Sequence, residues 1–225
     1  MENELKAAIL LILISFAIGA YSYGMLPERV ASHWGLSGQP NGYMPTALGA
    51  FLLPVIMLVL LAVFIIIPVI DPLRANIGQF KGYFYGFVLV ITAVLFVIYV
   101  QTILWNLGTM ISFNLTLPIL LGCTFFYVGI ALENTKRNWF VGIRTPWTIS
   151  SDEVWDKTNR LGGTVFKFLG ILMLVTIALP PFALIVVIGL LVAACVGLVL
   201  YSYVVYTKVM KSVKTPEKNE KRSKK

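Results

Sequence analysis

The sequence predicts an all-α integral membrane protein with six transmembrane helices, both termini cytoplasmic, and a short amphipathic interfacial helix before the fifth span. Three observations predict it. The chain has 225 residues, 58% hydrophobic and 12% charged, with a mean hydropathy of +0.85, outside the range of a soluble domain. Its apolar residues gather in six runs, close to the ~20 residues that cross a ~30 Å hydrocarbon core. When the connecting segments are assigned alternately to two faces, every one of the 18 Lys and Arg residues except Arg29 falls on one face, counting Lys167 with the nearby end of span five. Lys and Arg are retained on the cytoplasmic side. The N-terminus, 71–82, 133–162 and the C-terminal tail are therefore expected inside, and 27–46, 106–110 and the Pro180–Pro181 turn outside.

Span one is Ala7–Leu26. It is long for the apolar region of a signal peptide, Glu2 and Glu4 dilute the basic flank, and no small-x-small site precedes Leu26-Pro27, so it reads as a retained span. Span two, Ala47–Ile70, carries Pro54, which should bend it, and Pro68 beside Asp71-Pro72. Span three, Tyr83–Trp105, opens on Tyr83, Phe84, Tyr85 and Phe87 and closes on a tryptophan, the pattern of interfacial anchors at both ends. Span four is Ile111–Leu132. Spans five and six, Gly163–Leu179 and Phe182–Val205, are joined so tightly at Pro180–Pro181 that they must form an antiparallel hairpin. Gly19, Gly86, Gly122, Gly129, Gly170, Gly189 and Gly197 mark places where helices can approach closely. Cys123 and Cys195 sit mid-span without metal-ligand spacing and read as packing residues.

The units expected are 1–81, a two-span unit with a structured extracellular loop 27–46; 82–207, a four-span unit with a cytoplasmic loop 133–162; and 208–225, a disordered basic tail. Eight basic residues lie in Lys208–Lys225, directly after the last span. Such a cluster is a partner for anionic lipid, at about 1 kcal/mol per residue near the surface, and not for nucleic acid. Within the spans Lys167, close enough to an end to snorkel, is the only charged residue. Ion coupling generally needs charge at depth, so the spans argue against it. Gln101, Thr102, Asn114, Thr116 and Thr124 can line a polar seam, or bond one helix to another.

Two loops hold the unusual residues. The outer loop is dense in turn formers, with Pro27, Pro40, Gly35, Gly38 and Gly42 around His33 and Trp34. His33 is the only histidine; with Glu28 as its one acidic neighbour it makes a poor metal site, and structural hydrogen bonding is the first expectation, direct ligand contact the second. In the inner loop, Trp139, Val141 and Ile143 alternate with Phe140, Gly142 and Arg144, predicting a short extended segment that Thr145-Pro146 ends. Ser150-x-x-Glu153 fits a capping box for a helix from near Ser151 to Leu161. On that helix Val154, Trp155, Thr158 and Leu161 form one face, with Asp152, Asp156, Lys157 and Arg160 on the other, so it is expected to lie at the cytoplasmic interface. The tryptophans are an aromatic belt and Arg144 a topology signal on the plainest reading. On a sharper one, the Arg144 guanidinium among indoles binds a carboxylate, a phosphate or a lipid headgroup.

These two loops resemble the SdpI family, membrane proteins named for immunity to a sporulation-delaying peptide toxin. The resemblance is carried by Asn138-Trp-Phe-Val-Gly142-Ile-Arg144-Thr145-Pro146-Trp147-Thr148, by Trp155-x-x-Thr158-Asn159-Arg160, and by Gly163. The outer Pro27…His33-Trp34…Gly38-x-Pro40 is similar to a small domain of unknown function that often precedes the SdpI region. One departure is Asn159, where the family often has histidine, which removes a titrating group there. The resemblance implies a cell-membrane protein of a prokaryote that protects against a membrane-active peptide toxin and, in the founding system, holds a cytoplasmic repressor at the membrane. Passive transport or binding of a small lipophilic solute is the competing reading. A membrane enzyme is disfavoured, since no serine–base pair, paired carboxylates or metal-ligand set is present, and no cofactor is expected.

Overall fold

In a computed structural model, the backbone of residues 2–179 and 182–223 is described, and with it the side chains outside 182–184 and 213–223. The chain forms α1 (Glu2–Ser22), β1 (Arg29–Trp34), β2 (Pro40–Pro45), α2 (Thr46–Ile70), α3 (Arg74–Asn106), α4 (Phe113–Asn134), α5 (Pro146–Ser150), α6 (Asp152–Val175) and α7 (Phe182–Ser223). Six helices are long and apolar enough to cross a membrane, as the six runs require. The Pro180–Pro181 turn lies outside the described residues, although α6 and α7 do pack on each other.

Glycine decides the closest packing. On α4, Gly122 and Gly129 are seven residues apart; on α6, Gly163 and Gly170 are as well. The helices run antiparallel so that Gly129 meets Gly163 and Gly122 meets Gly170. A Cβ on Gly129 would stand 2.5 Å from the Gly163 carbonyl oxygen, and one on Gly170 would stand 2.7 Å from that of Gly122. Between helices in lipid, where water gives little drive to associate, such backbone approach supplies the attraction. Gly19 packs in the same way against the Ala50 backbone and Gly86 makes room for the Tyr127 ring and hydroxyl, whereas Gly189 and Gly197, expected to allow close approach, have nothing within 4 Å. They lie on the open face of α7.

The fifth span corrects the expectation of a separate interfacial helix. Asp152–Val175 is one continuous helix. Gly162-Gly163 reads as a break, but here the pair gives α4, Ile143 and Glu133 room to approach. The face also differs: Val154, Trp155, Thr158 and Asn159 are buried while Leu161 is exposed. The start of α6 is set by Ser151, whose Oγ accepts the Val154 N–H, and not by Ser150, whose hydroxyl donates to the Trp147 carbonyl.

Other side chains depart from expectation in instructive ways. Phe84 is buried within the α1–α2–α3 core and is no interfacial anchor. Cys123 and Cys195 are exposed on the helix surfaces instead of packed inside. Lys167 does not simply snorkel but pairs with Glu133 at 2.7 Å across α4 and α6. Thr102, Thr116 and Thr124 bond carbonyls of their own helices; only Gln101 and Asn114 bridge elements, to Ile111 and Leu36. Order also passes the boundary expected at 207, because Val209 packs with Val205 on Val154. The rest of the expected tail lies mainly outside the described side chains.

Candidate functional site

The two motif loops occupy opposite ends of the bundle. At one end, Arg29–Trp34 and Pro40–Pro45 form an antiparallel hairpin closed by a turn in which Gly38 has φ 75°, a conformation that favours glycine. Val30 is fully buried against Gly49, and Asn106 at the end of α3 both accepts the Ala31 N–H (2.7 Å) and donates to the Ala31 carbonyl (3.1 Å). A side-chain amide thus takes the place of a third strand at this edge. Register shifts on either side of His33 then re-aim His33 and Trp34. His33 Nδ1 bonds the Asn41 side chain across the hairpin and stays exposed. Trp34 stacks on Phe113 with ring centroids 4.0 Å apart and meets Trp105 edge-on at 5.8 Å. Beneath the hairpin is a cavity of about 670 Å³ lined by Trp34, Leu48, Leu52, Ile98, Thr102, Leu117 and neighbours. The Trp34 indole N–H is itself sealed from solvent without an acceptor, an arrangement that costs roughly 1–3 kcal/mol.

At the other end, the inner loop is organised by Asn138 and not by a strand, which corrects the extended segment expected from its alternating residues. Asn138 is fully buried. Its Oδ1 accepts the N–H groups of Phe140 and Val141, and its Nδ2 donates to the carbonyls of Lys136 and Val141. The local backbone bonds are met by a side chain, so the chain has no need of a partner strand. Gly142 has φ 126°, and a Cβ there would fall 2.8 Å from the Trp155 ring and 2.9 Å from Asn159 Oδ1. Asn159 accepts the Ile143 N–H and donates to the Trp155 carbonyl, while Trp155, 0% exposed, donates through Nε1 to the Thr135 carbonyl. The motif residues on either side of α5 are joined by these bonds into one unit.

Pro146 occupies the first turn of α5, where its missing N–H costs nothing. Thr145 and Thr148 form a reciprocal capping pair, and Thr145 also bonds Ser202 of α7 at 3.0 Å. The threonine pair is a capping box in different residues from those anticipated. Thr158 is buried with its hydroxyl unpartnered. Arg144 is exposed and makes one hydrogen bond among the described residues, to the Trp139 carbonyl. With Trp139, Pro146, Ile149 and Ser150 it borders an open cleft of about 430 Å³. Trp147 packs beside Tyr203, and Arg160 is exposed.

Asp71, outside both sequence motifs, also holds this loop. It is 2% exposed, and its two carboxylate oxygens accept the Leu73 N–H at 2.6 Å and the Trp139 N–H at 2.9 Å. Asn76 adds a bond to the Arg137 carbonyl. An Asp-Pro pair beside a helix end was the available signal. Among the described residues no group of His, Cys, Asp or Glu is arranged to hold a metal ion.

Six apolar helices with an ordered knot of polar residues at one end and a capped apolar cavity at the other define a multi-pass protein of the cell membrane. The model of the SdpI/YfhL protein family matches residues 134–202, which contain the knot, and a domain of unknown function, DUF1648, matches residues 10–58, which contain the hairpin. The chain thus carries one segment that matches the SdpI/YfhL family and one that matches DUF1648. It is similar to the immunity protein SdpI of Bacillus subtilis (strain 168), with 24% identity over 203 residues, 90% of this chain and 95% of that protein. No solved structure matches.

Proposed function

We propose that the protein is a non-enzymatic immunity protein that protects the cell membrane carrying it from a membrane-active peptide, and that it signals inward by recruiting a cytoplasmic repressor. The observation that carries protection is the similarity to SdpI along nearly the whole chain. The positive-inside bias supports a cytoplasmic location for the termini and for 133–162, and an external one for the hairpin. Peptide and repressor would then meet opposite ends of one bundle. Signalling requires two arrangements with different affinities for the two partners. The contact of Asp71 and Asn76 with the motif loop is the physical link through which the first two spans can bias it.

Recruitment through Trp155 does not fit its burial, and the surface available to a partner is the exposed one of Arg160, Asp156 and Lys157 with the Arg144 cleft. The test is survival of a toxin-sensitive host that expresses this chain and is challenged with peptides encoded beside its gene. Survival only in its presence is the expected result. Unchanged sensitivity to every such peptide, with unchanged transcription of neighbouring genes on deletion, would overturn the proposal.

A further inference from the structure

The cleft beside Arg144 stands at the height of lipid phosphates. Helix α7 begins at Phe182. Ser202 follows ~20 residues later, about 30 Å along a helix, which is the thickness of a hydrocarbon core. The loop is moored at that height, because Thr145 Oγ1 bonds Ser202 Oγ at 3.0 Å and the Trp147 ring centroid lies 5.1 Å from that of Tyr203. Exposed Lys208 comes about 9 Å farther along α7. Thr145 itself lines the cleft, so Arg144 sits between the hydrocarbon boundary and the first lysine beyond it.

Charge balance then selects the ligand. Segment 133–162 has four carboxylates, and each already meets a base: Glu133 with Lys167 at 2.7 Å, Asp152 with Arg137 at 2.8 Å, Glu153 with Lys157 at 2.6 Å and Asp156 with Lys136 at 4.0 Å. Among the described residues Arg144 and Arg160 are left without a carboxylate, and of the two it is Arg144 that borders the cleft. Its side chain is exposed and uses Nη1 on the Trp139 carbonyl. Nε and Nη2 remain, the parallel donors that grip a phosphate bidentately. No Asp or Glu lines the cleft, whose walls include half-exposed Trp139, Pro146 and Ile149. Such walls suit a ligand with phosphate at one end and glycerol esters at the other, and tryptophan favours that level of a bilayer.

We propose that this cleft binds the phosphate of an anionic phospholipid, held by Arg144 Nε and Nη2, with the glycerol backbone against Trp139 and Ile149. An anionic headgroup is favoured because phosphatidylethanolamine brings its own ammonium to compensate its phosphate. The site is independent of the protection and recruitment readings, since neither toxin nor repressor enters its test. It is independent of sidedness as well, since both leaflets present phosphate at this height.

The full chain in a neutral detergent would be titrated with phosphatidylglycerol, and its lipid adducts counted by native mass spectrometry. Arg144→Gln should weaken the first adduct by about tenfold or more, the weight of a hydrogen bond to a charged group. Arg144→Lys keeps the charge without the fork and should fall between. Arg160→Gln should bind like the unmodified chain, and phosphatidylethanolamine should bind that chain several-fold more weakly. Ser150→Glu sets a carboxylate on the cleft with Arg144 intact and should weaken the adduct as Arg144→Gln does, which guards against a folding defect in the latter. In nanodiscs, phosphatidylglycerol with a diazirine in its headgroup should cross-link Trp139, Pro146 and Ile149, and lose those links in Arg144→Gln. Equal affinity in Arg144→Gln and the unmodified chain would overturn the proposal, as would an equal loss in Arg160→Gln, the mark of diffuse attraction. Displacement of the lipid by inorganic phosphate would also overturn it and make a free anion the ligand.

Discussion

The carboxylate of Asp71 accepts the backbone N–H of Trp139 at 2.9 Å, joining the turn between α2 and α3 to the first residues of the inner-loop motif. Both groups lie in connections between helices, and their 68-residue separation hides the relationship from any local reading of the chain. Asp71→Ala leaves two backbone donors, those of Leu73 and Trp139, without this acceptor. We expect a loss of about 2–6 kcal/mol in unfolding free energy, since each buried unsatisfied group costs roughly 1–3 kcal/mol. Asp71→Asn keeps one acceptor and should lose about half as much. Trypsin cleavage at Arg137 and Arg144 in nanodiscs gives a second measure, with faster nicking in the Ala variant. Equal nicking of all three proteins would show that Asp71 does not hold the loop.

Gly129 and Gly163 set the approach of α4 to α6. Gly129→Leu should drive the helices apart and destabilise the protein by about 1–3 kcal/mol or more, the usual cost of overpacking. Gly197→Leu, on the open face of α7, should change stability by less than about 0.5 kcal/mol, as surface substitutions do. Thermal unfolding in detergent compares the two, and a similar drop in both would contradict the packing described.

Sidedness can be read chemically. In a variant lacking Cys123 and Cys195, a cysteine at Gln39 in the hairpin turn and another at Lys157 on α6 should label from opposite faces of intact cells. An impermeant reagent should reach the first at once and the second only after permeabilisation. Equal labelling of both in intact cells would contradict the topology drawn from the positive charges.

Trp155 and Arg160 separate the fold from any recruitment surface. Trp155→Ala should cost about 3–5 kcal/mol by emptying a buried site, and any loss of function would follow from that. Arg160→Ala should leave the unfolding midpoint unchanged and still reduce partition of the cytoplasmic partner to the membrane. If Arg160→Ala recruits normally, the exposed face of α6 is not the signalling surface.

Arg144→Lys keeps the positive charge but loses the planar fork. Insertion should be normal, with activity in the protection assay reduced several-fold. Full activity would leave Arg144 as a topology signal alone.

The sequence by itself determined the class of this protein. Apolar runs long enough to cross a bilayer permit little else, because an unpaired backbone in lipid must close its hydrogen bonds within a helix. Charge placement gave the expected sidedness, and motif composition pointed to the family. The tertiary structure decided what single segments cannot encode. Gly162-Gly163 looks like a helix break until α4 is seen against it, and the alternation at 139–143 looks like a strand until Asn138 closes the loop upon itself. Trp155 looks like an interfacial anchor until Thr135 accepts its N–H, and Asp71 is silent until Trp139 meets it. In each case the deciding partner lies in another element or depends on side-chain geometry. Hydrophobic periodicity records how one segment meets its surroundings, but it does not record which neighbour fills the space.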